Sequence, residues 1–467
     1  MVRFGTAGIR GPVDGTVTPE LALAVGRAVG LDALDQGDQV VVVGRDGRVT
    51  GPTLQRALVA GLQSAGVEVL VVGSVPTPAL AFASRGRRGV MVTASHNPPA
   101  DNGLKLFADG VEYDRAGEAR IEARLAGDEP APESQTETVA GGNPAAWSVW
   151  TTPRREPVLE AYQGAIATYA RTHGAPLDGL RVVVDCGNGM ASLATPAVLR
   201  TLGAEVATLS ATVDGTFPAR PSKPTAASLA DLRAFVADGD WALGFGADGD
   251  ADRLVVVDGT GEVVHEDTVL AVLAGAFVRA SDATDPVVVT TPNASARVDE
   301  QVETAGGRVE RVALGSLHEG IAEARAGGGT VVFAGEPWKH VHPDLGDWID
   351  GVASAAVLAR LVAAAGGVEP LRDPVTERPY RKVNVDCPDE RKVTAMARLE
   401  TTLPERFPDA AVDTDYGLRL DRPDGSWTLV RPSGTEPYLR IYAEADDVDA
   451  LVEAVASVVE AGVEAPR

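Results

Sequence analysis

Three aspartates stand at alternate positions in FGADGDADRLVVVDG (245–259), which is the spacing of a cation site. Asp248, Asp250 and Asp252 on a looped or extended backbone can converge on one hard divalent ion, magnesium by preference, with water or phosphate oxygens completing its shell. A calcium loop of the EF-hand type is excluded. Its sixth and twelfth positions take glycine and glutamate, and here they are Arg253 and Gly259. The acids also run into an apolar strand, LVVV, where an EF-hand would begin a helix.

A second stretch, LVRPSGTEPYLRIY (429–442), is built to hold an anion. Its turn places Arg431, Ser433, Gly434 and Thr435 together between two strands, with Arg440 following. Backbone N–H groups, hydroxyls and guanidinium groups in that arrangement close around a phosphate. No Gly-Lys pair occurs anywhere, so no Walker loop is present.

The third stretch is TASHNPP (93–99), a polar run braced by two prolines directly after the apolar strand GVMVT. Ser95 has no G-x-S-x-G elbow around it. Its neighbour His96, in an extended segment, would point to the opposite face, which argues against a hydrolytic pair. A serine oxygen close to a magnesium cluster can carry a phosphoryl group instead. Lys105 could add charge there or accept a proton. Glu336, Trp338, Lys339 and His340 in GEPWKH (335–340) follow another buried strand, the position where α/β domains bind ligands. CGNGMA (186–191) lacks the third glycine of a dinucleotide fingerprint and reads as a tight strand-to-helix turn.

These residues need a layered α/β scaffold. Strand–turn–helix units open at QVVVVGRDGR (39–48), LRVVVDCGNGMA (180–191) and DPVVVTTPNASARV (285–298), which predicts parallel sheets. The expected organisation is three similar mixed α/β domains around a cleft, 1–150, 151–257 and 258–370, with a smaller α+β domain at 371–467. GDEPAPESQTETVAGGNP (127–144) has the composition of a linker or surface loop.

The 467 residues carry a formal net charge of −24, which disfavours nucleic acid and anionic membranes as partners. No apolar run is long enough for a membrane span, and MVRFGTAGIRG has no secretory apolar core, so the cytoplasm is the expected location. Cys186 and Cys387 form no metal or redox spacing. Lysine occurs only at 105, 223, 339, 382 and 392, and arginine supplies the remaining basic charge. Abundant carboxylates with scarce lysine suit a protein working in very high salt.

The chain resembles the α-D-phosphohexomutases, the phosphoglucomutase/phosphomannomutase superfamily, through TASHNPP, DGDADR and RPSGTEP in that order, with GTAGIRG at the start. The resemblance implies a phosphoserine enzyme that gives its phosphate to a sugar phosphate, forming a sugar bisphosphate that turns over and returns its other phosphate. It implies Ser95 as the phosphoserine and as a fourth ligand to Mg2+ beside Asp248, Asp250 and Asp252. It implies Arg431, Ser433, Gly434 and Thr435 as a distal phosphate clamp. Lys105, Arg10 and His340 match positions of proton transfer or charge stabilisation, and His96, Asn102 and Arg253 match supporting ones. The family's sugar loop reads Gly-Glu-x-Ser-Gly-His, so Trp338 and Lys339 are departures that should shrink or restaff the sugar pocket. In VALGSLH (312–318) only Gly315 of a second specificity stretch is kept. The expected substrate is a glucose or mannose phosphate, with transfer between C1 and C6, on a monomer or homodimer. The alternatives are phosphoglucosamine mutase, phosphopentomutase, or a phosphosugar phosphatase or binding protein without mutase turnover.

The charge balance makes a direct prediction. The melting temperature should climb as KCl rises towards about 1 M, where the screening length is roughly 3 Å. A maximum without added salt would overturn the high-salt reading.

Overall fold

The computed structural model describes residues 4–5, 8–127, 141–433 and 436–464. The chain divides into two compact units, residues 1–266 with 338–371, and residues 267–337 with 372–467.

In the first unit, the valine run of Val40–Arg45 leaves no polar face, so the strand is buried on both sides at the centre of a sheet. It pairs in parallel with Glu68–Ser74 and Arg88–Val92. Arg88–Val92 then pairs antiparallel with Asp101–Ala108, which pairs with Ile9–Pro12. The short strand Arg154–Arg155 closes the far edge. Helices Pro19–Asp35 and Gly51–Ala65 cover one face and, with the sheet, enclose a core that includes Val25, Val41, Leu58 and Leu62.

A second sheet in the same unit runs Val263–Val264, Leu254–Asp258, Leu243–Ala247, Arg181–Asp185, Glu205–Leu209. Leu243–Ala247 is parallel to Arg181–Asp185 and antiparallel to Leu254–Asp258, with Ala247 opposite Leu254. The acidic run Asp248–Arg253 is therefore the connection of a hairpin whose strands are fully buried. CGNGMA is the expected tight turn. Gly187 and Asn188 both have positive φ, and a short 3-10 stretch Met190–Leu193 leads into helix Thr195–Thr201.

The second unit holds Pro286–Thr290 between Arg308–Arg311 and Thr330–Glu336, all parallel. Its other sheet is antiparallel, ordered Tyr380–Asp386, Tyr438–Glu444, Trp427–Pro432, Leu418–Asp421, Ala411–Asp413. Helices Asp389–Arg406 and Val448–Glu464 bury Leu399, Leu403, Val455 and Val459 with its core. The mixed α/β class with a C-terminal α+β portion is as the sequence implies. No helix among the described residues is long and apolar enough to cross a membrane.

Helix Gly351–Ala365 is capped by Asp350, whose Oδ1 accepts from Ala353 N at 2.8 Å and from Tyr162 OH at 2.9 Å. Trp348 Nε1 donates to its other oxygen at 3.1 Å. Burial pushes the Asp350 carboxyl up, against the hydrogen bonds that favour its charge. Replacing Tyr162 with Phe removes one donor from a buried acceptor and should cost about 1–3 kcal/mol. The first unit's unfolding transition should move to lower denaturant. An unmoved transition would show that Trp348 and Ala353 suffice.

Candidate active site around Ser95 and the acidic hairpin

Polar residues collect at the C-terminal ends of the parallel strands, where α/β sheets place ligands. Asp46 and Arg48 follow Val40–Arg45, Thr77 follows Glu68–Ser74, and Thr93 and Ser95 follow Arg88–Val92. From the second sheet, Asp248 follows Leu243–Ala247.

The three aspartates meet. Each of Asp248, Asp250 and Asp252 is buried, and one oxygen from each lies within 4.8 Å of the others. Ser95 Oγ donates to Asp248 Oδ2 at 2.7 Å, so the serine of the first sheet touches the acidic hairpin of the second. The two loops approach so closely that a Cβ on Gly249 would lie 2.6 Å from Ser222 Oγ and 2.7 Å from the Ser95 carbonyl oxygen. Only glycine fits there.

The electrostatics divide the cluster. Burial, then the neighbouring Asp252 and Asp250, pushes the Asp248 carboxyl well up. Burial works the same way on Asp252, but Lys105, Arg253, Lys339 and Arg10 together hold it below the usual carboxylate range. Asp250 Oδ2 accepts from Thr77 Oγ1 at 2.6 Å and lies 3.2 Å from Thr93 Oγ1. Asp250 Oδ1 and Asp252 Oδ1 are buried with no hydrogen-bond partner among the described residues. Two buried, unsatisfied carboxylate oxygens within one small volume fit a hard divalent cation.

Lys105 Nζ pairs with Glu112 at 2.6 Å and Asp252 at 3.3 Å. Burial opposes its charge, but those carboxylates push its pKa up, so the ammonium is held charged. Arg253 Nε lies 3.8 Å from both Asp248 and Asp252. Arg10, on Ile9–Pro12 opposite Gly103, adds its field to Asp252 and His96. Asn102 Nδ2 donates to Thr50 Oγ1 at 2.9 Å, fixing the loop's exit.

His96 departs from its sequence reading. The backbone at Ser95 is not extended but left-handed, with φ 50°. The turn brings His96 Nδ1 to 3.4 Å from Ser95 Oγ instead of to the opposite face. Burial, then Arg253 and Arg10, pushes that imidazole down to about 3, so it stays neutral.

His340 is buried, with Nδ1 3.1 Å from Ser354 Oγ, which also lies 2.9 Å from His342 Nε2. Burial pushes His340 down to about 3. Trp338 has φ 69°, gives its carbonyl to Leu254 N at 3.1 Å, and packs beside Val183, Leu232 and Val255 of the second sheet's cluster. Lys339 instead lends its charge to Asp252 and Glu112.

In the second unit, Arg431 Nη2 donates to Tyr442 OH at 3.0 Å, and Lys382 Nζ sits 5.5 Å from the centre of the Tyr442 ring. Lys392 Nζ donates to the carbonyls of Ser433 at 2.6 Å and Glu436 at 2.7 Å, bracketing the turn. Arg440 Nε donates to Asn384 Oδ1 at 3.2 Å. Gly434 and Thr435 lie outside the described residues. Glu336 ends strand Thr330–Glu336, and Gly315 has φ 85° just before helix Leu317–Ala326.

Sequence reasoning missed Asp46, Arg48, Thr77, Thr93, Glu112 and Ser222. The available signal was position: four of them follow the C-terminal end of a parallel strand. Cation binding is testable directly. A ligand at a hundred times its Kd stabilises by about 2.7 kcal/mol, so Mg2+ should raise the melting temperature of the wild type. Asp250→Asn should lose most of that rise, and an equal rise in the variant would place the ion elsewhere.

Residues 1–131 match alpha/beta/alpha domain I of phosphoglucomutase/phosphomannomutase, 160–261 match domain II, and 383–461 match its C-terminal domain. The chain is 40% identical over 452 residues to a phosphopentomutase of Thermococcus kodakarensis, covering 95% of this chain and 93% of that protein. It is 39% identical over 454 residues to a probable phosphoglucosamine mutase of Methanopyrus kandleri, covering 95% and 94%. A crystal structure of a phosphoglucomutase/phosphomannomutase family protein from Burkholderia thailandensis superposes with a TM-score of 0.83 at 26% identity, over 99% of this chain and 98% of that one. An N-acetylphosphoglucosamine mutase of Aspergillus fumigatus, solved with GlcNAc-6P and magnesium, shares the fold with a TM-score of 0.61 at 17% identity, over 99% and 96%. With those domains matched in order and relatives aligned along nearly its whole length, the chain belongs to the phosphoglucomutase/phosphomannomutase family of phosphosugar mutases.

Proposed function

We propose that this protein moves a phosphoryl group between two positions of a pentose phosphate, through a phosphorylated Ser95 and a pentose bisphosphate. The observation that carries the reading is the 2.7 Å contact between Ser95 Oγ and Asp248. It sets a nucleophilic oxygen against a buried carboxylate cluster with two unsatisfied oxygens. In the forward step the phosphorus–oxygen bond to Ser95 breaks and one to a sugar hydroxyl forms. The hydroxyl proton ends on Ser95 Oγ. The second step reverses this with the sugar's other phosphate, which restores phosphoserine. Mg2+ held by Asp248, Asp250, Asp252 and a phosphoserine oxygen would neutralise charge on the transferred oxygens. Lys105, Arg253 and Arg10 supply fixed positive charge beside the same oxygens. Arg431, Ser433, Gly434, Thr435 and Arg440 are assigned to a phosphate that stays on the sugar.

Two considerations support a pentose over the glucose or mannose expected from the motifs alone. The Thermococcus relative, at 40% identity, is named a phosphopentomutase. The sugar loop GEPWKH also departs from the family pattern at Trp338 and Lys339, where serine and glycine are usual. The second reading is a glucosamine phosphate, favoured by the 39% identity to the Methanopyrus protein. Lys339 is the feature of the loop that weighs on this choice: its ammonium, paired in field with Asp252 and Glu112, adds a positive charge to the loop that an amino sugar would also bring.

Two measurements test this. Intact mass of the wild type, primed with sugar bisphosphate, should show one phosphate that phosphatase removes and Ser95→Ala never acquires. No phosphate under any priming would end the phosphoserine mechanism. In high salt, kcat/KM for ribose 1-phosphate should exceed that for the 1-phosphates of glucose, mannose and glucosamine by about tenfold or more, the discrimination a pocket difference of one carbon supports. A glucosamine preference would select the second reading, and net phosphate release without isomer would indicate a phosphatase.

A further inference from the structure

Arg48 is fully buried, yet it lies far in sequence from every motif that carries the chemistry. All five N–H groups of its guanidinium are engaged. Nε donates to Asp46 Oδ2 at 3.1 Å, Nη1 to the carbonyls of Pro98 at 2.6 Å and Asp101 at 2.9 Å, and Nη2 to those of Ser95 at 2.9 Å and Asn97 at 2.7 Å. A planar fork with five fixed donors is the one side chain able to gather four carbonyls of a single loop, and a lysine has three donors at one point. The guanidinium also lies 5.2 Å from the centre of the Phe217 ring, within reach of a cation–π contact.

The same group reaches the acidic cluster by a second route. Asp46, its ion-pair partner, accepts from Thr93 Oγ1 at 2.8 Å, and that hydroxyl lies 3.2 Å from Asp250 Oδ2. Thr93 Oγ1 also accepts from Ser95 N at 2.9 Å. From the opposite side, Ser222 Oγ donates to the Ser95 carbonyl at 2.9 Å. The Ser95 carbonyl thus takes one bond from each domain of the unit, Arg48 on one side and Ser222 on the other. These bonds account for a left-handed backbone at Ser95 that a non-glycine residue adopts only when its surroundings over-determine it.

We propose that Arg48 is the positioning residue for the nucleophile. It gathers the carbonyls of the Ser95 loop and, through Asp46 and Thr93, refers Ser95 Oγ and Asp250 to one frame. Ser222 is its counterpart on the second domain. The role rests on the reading of Ser95 as the phosphoryl carrier. Arg48 makes no contact with the transferred group, and its effect is on rate through geometry. A displacement of the serine oxygen by about 1 Å is enough to cost on the order of a hundredfold.

The test uses the full-length protein primed with sugar bisphosphate. Arg48→Lys should lower kcat about a hundredfold and leave KM for the sugar phosphate within about threefold, while Ser95 still fills with phosphate on long incubation. Arg48→Gly should recover rate when guanidinium ion is added, with saturation, whereas methylammonium at the same concentration should not restore it. Ser222→Ala, which removes one loop bond without stranding a buried charge, should lower kcat about tenfold in a protein that stays folded at the assay temperature, with a melting temperature only a few degrees lower. It keeps the idea open to refutation if the Arg48 variants do not fold. Wild-type kcat in folded Arg48→Lys or in Ser222→Ala would overturn the inference, even with phosphate on Ser95. Failure of wild-type Ser95 to accept phosphate would overturn the mechanism beneath it, and the two failures are distinguished by the mass measurement alone.

Discussion

Three carboxylates cannot be buried within 4.8 Å of one another without compensation, and the first unit is organised around that constraint. Two unit charges about 4 Å apart repel by about 4 kcal/mol at an effective dielectric of about 20. Desolvation adds to the cost. The protein answers in two ways. It surrounds Asp252 with Lys105, Arg253, Lys339 and Arg10, and it lets Asp248 accept a hydrogen bond from Ser95 Oγ. What remains are two unsatisfied oxygens in an arrangement that fits a divalent cation.

The fold meets this demand with ordinary parts. Parallel strands end in loops on one side of a sheet, and two such sheets bring their loops together at Gly249. The buried hairpin Leu243–Asp258 gives the aspartates a rigid base, because its strands have no solvent face on which to shift. The serine loop has no such ladder, only turn bonds such as Asn97 N to Ala94 O and Asp101 N to Pro98 O. Its rigidity comes from side chains that reach its carbonyls, chiefly Arg48, and from the hydroxyls of Thr93 and Ser222. The prolines in TASHNPP restrict the loop but do not by themselves set its shape.

Much of this was legible in the sequence, and the gaps have physical causes. Alternating aspartates before LVVV spell a loop at a strand end, and Ser95 stands out because nothing in apolar periodicity calls for it. Arg48 and Ser222 could not be read the same way, since a side chain that bonds to carbonyls needs no particular partner residue and leaves no motif. His96 lies on the same side as Ser95 Oγ, where strand geometry predicts opposite faces for an i, i+1 pair, because Ser95 adopts a conformation usually left to glycine. For Trp338 in GEPWKH, packing and a place in the sugar pocket are both legible, since a half-buried indole can serve either. Its indole lies against the second sheet's apolar cluster, while the next residue carries the charge towards Asp252.

The lysines show the same economy. Lys105 and Lys339 act on Asp252, Lys223 lends its field to His96, Lys392 fastens the turn at Ser433, and Lys382 lies over the ring that receives Arg431. Each of the five lysine side chains therefore touches, or lends its field to, a residue of the proposed machinery or of its supports. Reagents that acylate or cross-link amines usually scatter over a protein's surface. Here two of the five side-chain amines, Lys105 and Lys392, are buried out of reach of such a reagent, so what it marks beside the terminal amine is Lys223, Lys339 and Lys382.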